Sequence, residues 1–237
     1  MMRIGLLESD HVAGHLHNVA GDYADMLVRL LAEHAPDLEV VRHDVVAGEP
    51  VPDPSTADGW ILPGSRYGVH DQGIPWIDEL VDFVRDADAQ DAPMVGICFG
   101  HQLLAHALGG EVRRADHGWG VGVHEATVVS ATDWMDPSLP SYRLLVSHQD
   151  QVVRLPEGAS LLATSRHAPV AAYQRGRVVG FQGHPEFVAD YADALMAERV
   201  ERIGAPVVEA ARATLDTPTD HGAVARWVGR FFHASGD

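Results

Sequence analysis

The first 110 residues alternate short apolar runs with amphipathic segments, and this alternation is the feature that most constrains the fold. The apolar runs cover residues 3–8, 38–45, 59–64 and 92–98. The segments between them carry apolar residues at helical spacing, for example Tyr23, Met26, Leu27, Leu30 and Leu31 on one face. Strands that alternate with helices are typical of a mostly parallel sheet flanked by helices. The sequence therefore predicts an α/β fold.

Beyond about residue 110 the pattern changes. Short strand-like runs within residues 121–183 are separated by turn residues, which favours antiparallel ribbons over further βαβ units. After Pro185 the pattern is helical to the end of the chain, and its last helix carries an apolar stripe of Val224, Trp227, Val228 and Phe231. No linker or internal repeat interrupts the sequence. We therefore predict a single domain over residues 1–237, with an antiparallel region and a helical C-terminus.

Charge and cysteine content exclude several classes of partner. The formal net charge is −17, whereas nucleic acids and anionic membranes are bound by clustered Lys and Arg. The one cysteine can form neither an internal disulfide nor a cysteine-based zinc site. The first residues reach acidic side chains too early for a signal peptide, and no apolar run is long enough to span a bilayer. These features predict a cytoplasmic protein that binds neither nucleic acid nor membrane.

The cysteine lies in the pattern Gly96-Ile-Cys98-Phe-Gly100, directly after an apolar run and before a helical segment. A nucleophile flanked in this way by glycines, between a strand and a helix, is typical of a nucleophile elbow. The helix N-terminus next to Cys98 favours the thiolate. A free cysteine is also among the most buried residue types, so an ordinary core position is the alternative interpretation.

A thiolate nucleophile needs a base, and residues 180–187 (GFQGHPEF) supply a candidate. Pro185 restricts His184 to an extended conformation. Residues two apart in extended backbone point the same way, so we expect Glu186 to lie beside the imidazole. A carboxylate in that position would fix the tautomer and leave the other ring nitrogen for the thiol.

A third element is the Pro63-Gly64 pair at the end of a predicted strand. Glycine allows a backbone N–H to approach a developing oxyanion without obstruction by a side chain. The N–H groups of Gly64 and of Phe99, which follows the cysteine, are therefore the candidate oxyanion donors. Pro-Gly also forms ordinary turns, and that alternative remains open.

Three of the 15 histidines, His11, His15 and His17, recur closely near the start of the chain. This spacing suggests a metal site as one interpretation and surface positions as the other. The chain contains no glycine-rich phosphate-binding loop. We predict neither a metal nor another cofactor.

Residues 62–65 (LPGS), 96–102 (GICFGHQ) and 180–187 together resemble the class I glutamine amidotransferases. Residues 147–174 resemble the segment that precedes the triad histidine in the glutaminase half of GMP synthases. The resemblance covers nearly the whole chain and implies a flavodoxin-like three-layer fold. It also implies the following roles in a Cys-His-Glu triad and its substrate site: Cys98 as nucleophile, His184 as base, Glu186 as orienting carboxylate, Gln102 as a substrate contact, and Ser147 and His148 at the amino-acid end of glutamine.

The sequence departs from the family pattern at two positions. Leu62 stands where the oxyanion strand usually has glycine, and Gly183 stands where phenylalanine usually precedes the histidine. These changes resemble a free-standing subgroup that is similar to plant γ-glutamyl peptidases. The sequence also contains no glycine-serine loop of the ATP-pyrophosphatase type, which a synthetase domain that uses the ammonia would have.

The sequence leaves three functional hypotheses. The first is hydrolysis of a γ-glutamyl amide, with glutamine as donor and ammonia passed to a synthetase partner. The second is a stand-alone γ-glutamyl peptidase that acts on glutathione-like or γ-glutamyl-amine substrates. The third is a non-catalytic binding or redox-sensing protein, which the intact triad and the lack of a resolving cysteine disfavour.

Overall fold

The computed structural model describes residues 1–235. Its strands, in chain order, are β1 (Met2–Leu7), β2 (Leu38–His43), β3 (Gly59–Leu62), β4 (Met94–Ile97), β5 (Glu111–Arg114), β6 (Gly120–Val128), β7 (Ser141–His148), β8 (Asp150–Arg154), β9 (Ser160–Ser165), β10 (Ala172–Arg175) and β11 (Val178–Phe181). The helices are α1 (His17–Ala20), α2 (Tyr23–His34), α3 (Pro75–Ala89), α4 (Phe99–Ala107), α5 (Ala189–Glu198), α6 (Val200–Ile203), α7 (Ala205–Arg212) and α8 (His221–Ala234). Within residues 1–235 we find no helix with the length and apolar character needed to cross a bilayer.

Nine strands form one mixed sheet in the order β2-β1-β3-β4-β11-β10-β9-β6-β7. The first five strands run parallel, and the remaining pairs are antiparallel. The α/β fold with a mostly parallel sheet in its first part is thus confirmed. β11 differs from the expectation of purely antiparallel ribbons, because it inserts beside β4 and pairs with it in parallel.

A second, two-stranded sheet pairs β5 with β8. The sequence does not predict these strands, because both are short and carry charged residues. In this pairing Arg114 lies opposite Asp150. The small sheet thereby places Asp150 at the edge of the cleft described below.

Helices cover both faces of the large sheet and produce three layers. On one face α2 and α8 pack together, and the predicted stripe of α8 is buried in the same core, with Trp227 fully enclosed. On the other face α3 and α4 pack together against the sheet. Burial of apolar surface stabilises such layers by roughly 25 cal/mol per Å². The C-terminal helices are therefore part of this chain's own core.

Candidate active site

Cys98 occupies the tight turn between β4 and α4. Its φ of 51° lies in the left-handed region, which costs a non-glycine residue of order 1–3 kcal/mol. The Cys98 N–H donates a 2.8 Å hydrogen bond to the carbonyl oxygen of Phe181, the last residue of β11. The strained turn is thus held by the neighbouring strand, and the side chain lines a cleft beyond the carboxyl ends of the parallel strands.

The two glycines that flank the cysteine make this turn sterically feasible. A Cβ at Gly96 would lie 2.5 Å from the carbonyl carbon of Gly100. A Cβ at Gly100 would overlap the carbonyl oxygen of Leu62. Both collisions are with backbone, which cannot rotate away, so neither position accepts a side chain without movement of the chain.

His184 follows β11, which pairs with β4, the strand that ends one residue before Cys98. Its N–H donates to the Leu145 carbonyl oxygen at 2.8 Å, and its Nδ1 lies 2.7 Å from Glu186 Oε1. The imidazole also stacks on Phe187, with ring centroids 3.8 Å apart and planes within 9°. The ring is therefore fixed by a carboxylate on one edge and an aromatic face on one side, with the hydrogen bond to Glu186 in its expected place.

The charges around His184 determine its protonation state. Burial lowers the pKa of His184, but the charges of Glu186 and Cys98 and the hydrogen bond to Glu186 outweigh burial and raise that pKa to about 10. At neutral pH this geometry favours an imidazolium at His184, next to the Cys98 side chain, so that the two residues form a pair of nucleophile and proton donor. Such a pair can attack a carbonyl carbon and then supply a proton to a leaving group.

Two backbone donors lie at the same edge of the sheet. Among residues 1–235, the N–H groups of Gly64 and Phe99 have no hydrogen-bond acceptor. A Cβ at Gly64 would lie 2.6 Å from Cε1 of His184, so glycine is required for the close approach of this loop to the imidazole. The loop and the start of α4 could therefore donate to an oxyanion formed near Cys98.

The cleft has a volume of about 140 Å³, and Cys98, Phe99, Gln102, Ser147 and His148 all line it. Gln102 Nε2 donates to the Asp150 carbonyl oxygen at 2.7 Å, which fixes the amide. His148 Nδ1 donates to the same carbonyl oxygen at 3.0 Å. Burial and the neighbouring histidines lower the pKa of His148 to about 3, so this ring is neutral. The predicted substrate-binding residues therefore meet at one place beside the cysteine.

The cleft also contains arginines that no sequence motif indicates. Arg199 and Arg202 reach it from the segment where α5 ends and α6 begins, and Arg66 and Arg114 line other parts of it. Arg202 lies over the ring of Trp119, 5.5 Å from the centroid. No local pattern distinguishes these arginines from surface ones, because only the tertiary fold brings α6 to the cleft.

The three histidines near the start of the chain do not converge. His11 lies between Asp22 and Asp44, with Nδ1 2.7 Å from Asp22, whereas His15 contacts Glu198 instead. Glu8, His11 and Asp22 do approach one another closely enough to hold a cation. Glu8, however, already accepts two hydrogen bonds from the Arg42 guanidinium. This cluster is therefore an internal ion-pair network, and the suggestion of a three-histidine metal site is not supported by the geometry.

The chain is similar in sequence to proteins of known family. A family model described as glutamine amidotransferase class-I matches residues 16–200. γ-Glutamyl peptidase 4 of Arabidopsis thaliana is 34% identical over 178 residues, which cover 72% of this chain and 70% of the relative. The glutamine-hydrolysing GMP synthase of Aeropyrum pernix is 34% identical over 197 residues, which cover 78% of this chain and 35% of that protein.

The fold agrees with these sequence relationships. The crystal structure of a glutamine amidotransferase from Thermotoga maritima superposes with a TM-score of 0.76 at 21% identity, and the match covers 98% of each chain. The family model covers well over half of the sequence, and its match spans the elbow and the His-Pro-Glu segment. The chain therefore belongs to the class I glutamine amidotransferase family.

Proposed function

We propose that this chain hydrolyses γ-glutamyl amides through a glutamyl thioester on Cys98. The observation that carries the proposal is the position of Cys98 on a strained turn beside the buried His184–Glu186 pair. Family membership and relatives named γ-glutamyl peptidase support the same reaction class.

In the first half of the reaction, the Cys98 thiolate attacks the carbonyl carbon of the γ-amide and forms a C–S bond. The carbonyl oxygen becomes an oxyanion, which the N–H groups of Gly64 and Phe99 stabilise. His184 then donates its proton from Nε2 to the amide nitrogen, the C–N bond breaks, and the amine leaves. The product is a thioester, and His184 is now neutral.

In the second half, neutral His184 removes a proton from water, and the resulting hydroxide attacks the thioester carbon. The C–S bond breaks, glutamate is released, and the thiolate–imidazolium pair is restored. Glu186 does not react but holds the imidazole in one tautomer and stabilises its charged form. Gln102, Ser147 and His148 bind the amino-acid end of the glutamyl group.

The leaving group defines two versions of this function. Glutamine would release ammonia for a synthetase partner, as the name of the GMP synthase relative suggests for that enzyme. A γ-glutamyl peptide would release an amino acid or peptide, and no partner would be needed. The apolar stripe of α8 supports the peptidase version. Its side chains are buried within this chain and are therefore not available to bind a synthetase. We place the reaction in the cytoplasm, where a lone thiol stays reduced.

The proposal is tested by measuring amine release from glutamine, glutathione and γ-glutamyl dipeptides by the purified chain. Cys98→Ala serves as the blank, and mass spectrometry of the quenched reaction should detect a glutamyl adduct on Cys98. If wild-type protein released no more amine than Cys98→Ala from every donor, both alone and with a copurifying synthetase, and formed no glutamyl adduct, the catalytic proposal would be wrong and the binding or redox-sensing alternative would stand.

A further inference from the structure

Arg199 and Arg202, which the α5–α6 segment contributes, differ from the other arginines of the cleft in their partners. Of the four arginines that line the cleft, Arg66 pairs with the buried Asp10, and Arg114 lies 3.9 Å from Asp150. Within the part of the chain that the structure describes, Arg199 and Arg202 have no carboxylate within 4.0 Å; Arg199 reaches only the hydroxyl of Ser147, at 3.4 Å. In a chain of net charge −17, two uncompensated guanidinium groups beside the nucleophile favour an anionic ligand.

These arginines also line a second cavity of about 150 Å³. Arg66, Arg199 and Arg202 line both spaces. Tyr23, Tyr191 and Glu198 line only the second, and the Glu198 carboxylate lies 3.0 Å from His15 Nε2. The hydroxyls of the two tyrosines are joined by a 2.9 Å hydrogen bond, so this wall is rigid. The cleft that contains the cysteine and the second cavity therefore share a wall of arginines.

Ring contacts relate this second cavity to the base. Phe187 stacks on His184, and Tyr191 packs edge-on against Phe187 with centroids 4.9 Å apart. Tyr191, which lines the second cavity, is thus connected to His184 through Phe187, whereas Gln102 and Asp150 line the first cleft and not the second cavity. His184 must protonate the leaving nitrogen, so the leaving group lies on the His184 side as well.

We infer that the second cavity is the subsite for the leaving group, and that Arg199 and Arg202 bind a carboxylate that the leaving group carries. The inference rests on the proposed thioester chemistry at Cys98. Ammonia carries no such carboxylate, whereas an amino acid released from a γ-glutamyl dipeptide does. The substrate class is therefore γ-glutamyl-amino acids with a free α-carboxylate, and these two arginines determine the specificity.

Two ligands that differ only in that carboxylate test the inference, namely γ-glutamylglycine and γ-glutamylglycinamide. We expect wild-type protein to hydrolyse the acid with a kcat/KM about tenfold to a hundredfold higher than the amide, the range for a charge-assisted hydrogen bond. Arg202→Gln and Arg199→Gln should lower this ratio toward one, mainly by reducing activity on the acid. Raising the ionic strength should also reduce the ratio in wild type.

Arg114→Gln is the matched control, because it removes one positive charge from the same cleft at the Asp150 end. It should keep the wild-type preference. If Arg114→Gln reduced the acid-to-amide ratio as much as Arg202→Gln does, the preference would come from the overall positive charge of the cleft. It would not come from a carboxylate subsite. If the arginine variants lost activity equally on both ligands, the arginines would serve the glutamyl end, and the inference would be overturned.

A binding measurement tests the carboxylate subsite independently of the proposed hydrolysis. Calorimetric titration of Cys98→Ala with each ligand measures the preference without turnover, and the double variants Cys98→Ala/Arg202→Gln and Cys98→Ala/Arg199→Gln should lose it. A carboxylate preference in binding, with no turnover by wild type, would contradict the hydrolysis proposal alone. Equal affinity of Cys98→Ala for acid and amide would refute the subsite.

Discussion

The N–H of Cys98 donates a 2.8 Å hydrogen bond to the carbonyl oxygen of Phe181, so the turn that carries the cysteine is fastened to the strand that leads to His184. β4 and β11 are neighbouring parallel strands, with Ile97 opposite Phe181. Cys98 is the first residue after Ile97 in β4, and His184 is the third residue after Phe181 in β11. Both side chains therefore lie at the carboxyl ends of the two strands. The separation of the pair is therefore set by strand register.

Cys98 should react with iodoacetamide near neutral pH much faster than a free model thiol, because the adjacent imidazolium and the start of α4 favour the thiolate. Labelling is followed by mass spectrometry as a function of time. His184→Ala should slow the reaction. A wild-type rate equal to that of a model thiol would show that the cysteine is not activated.

Substitutions in the triad should have graded effects on turnover. Cys98→Ala should reduce kcat by about 10⁴-fold or more while the circular dichroism spectrum is preserved. Glu186→Gln should be less harmful than His184→Ala, because the imidazole loses an orienting carboxylate but remains present. The measurement is steady-state amine release by each variant. A larger loss for Glu186→Gln would mean that the roles of base and orienting group are wrongly assigned.

Gly100→Ala should destabilise the protein by about 1–3 kcal/mol or more, because the new Cβ would overlap the Leu62 carbonyl oxygen. The free energy of unfolding is measured by urea titration. Gly14→Ala is the control, since no heavy atom lies within 4 Å of a Cβ at that position. Equal stability of the two variants would contradict the steric account of the elbow.

Stability should fall as the pH drops below about 6.5, in part because of His101. Burial lowers its pKa from 6.5 to about 3, so between these values the unfolded chain binds a proton that the folded chain does not. The free energy of unfolding should therefore decrease with falling pH, by about 1.4 kcal/mol per unit from this group. His101→Gln should flatten the slope between pH 6 and 5, whereas the exposed His17→Gln should not. An unchanged slope in His101→Gln would refute the assignment.

The isolated chain should release amine from a γ-glutamyl donor without an added partner. Val224, Trp227, Val228 and Phe231 are buried against this chain's own sheet and helices, so the C-terminal helices need no synthetase to cover them. The assay compares wild type with Cys98→Ala at several protein concentrations. If the isolated chain released no amine from any donor but became active when a copurifying synthetase was added, the prediction would be wrong. The two-component amidotransferase hypothesis would then be favoured.

Local sequence patterns were sufficient to predict the parts of the fold that depend on neighbouring residues. The apolar run before Cys98, the helix after it, and the extended His184-Pro185-Glu186 segment all form as expected. These features depend on side-chain periodicity, on glycine and on the restriction that proline imposes, which act within a few residues.

Contacts between residues that are far apart in the sequence could not be predicted from local patterns. The sequence of β11 resembles that of the other short strands, and its parallel pairing with β4 arises only when the sheet assembles. The same holds for Arg199 and Arg202, whose place in the cleft depends on α6 packing through Ile203 against the region of Val121. An arginine three residues from another is ordinary on a helix. This pair is distinguished because, within residues 1–235, neither guanidinium has a carboxylate oxygen within 4.0 Å.

The insertion of β11 between β4 and β10 has a consequence for biosynthesis. Until residue 181 has left the ribosome, β4 presents an unpaired edge, and the parallel and antiparallel halves of the sheet remain separate. The last strand to be made thus closes the sheet at its centre and also brings His184 to the cysteine. In a nascent chain Cys98 is therefore made long before His184, and the two side chains come together only when β11 joins the sheet.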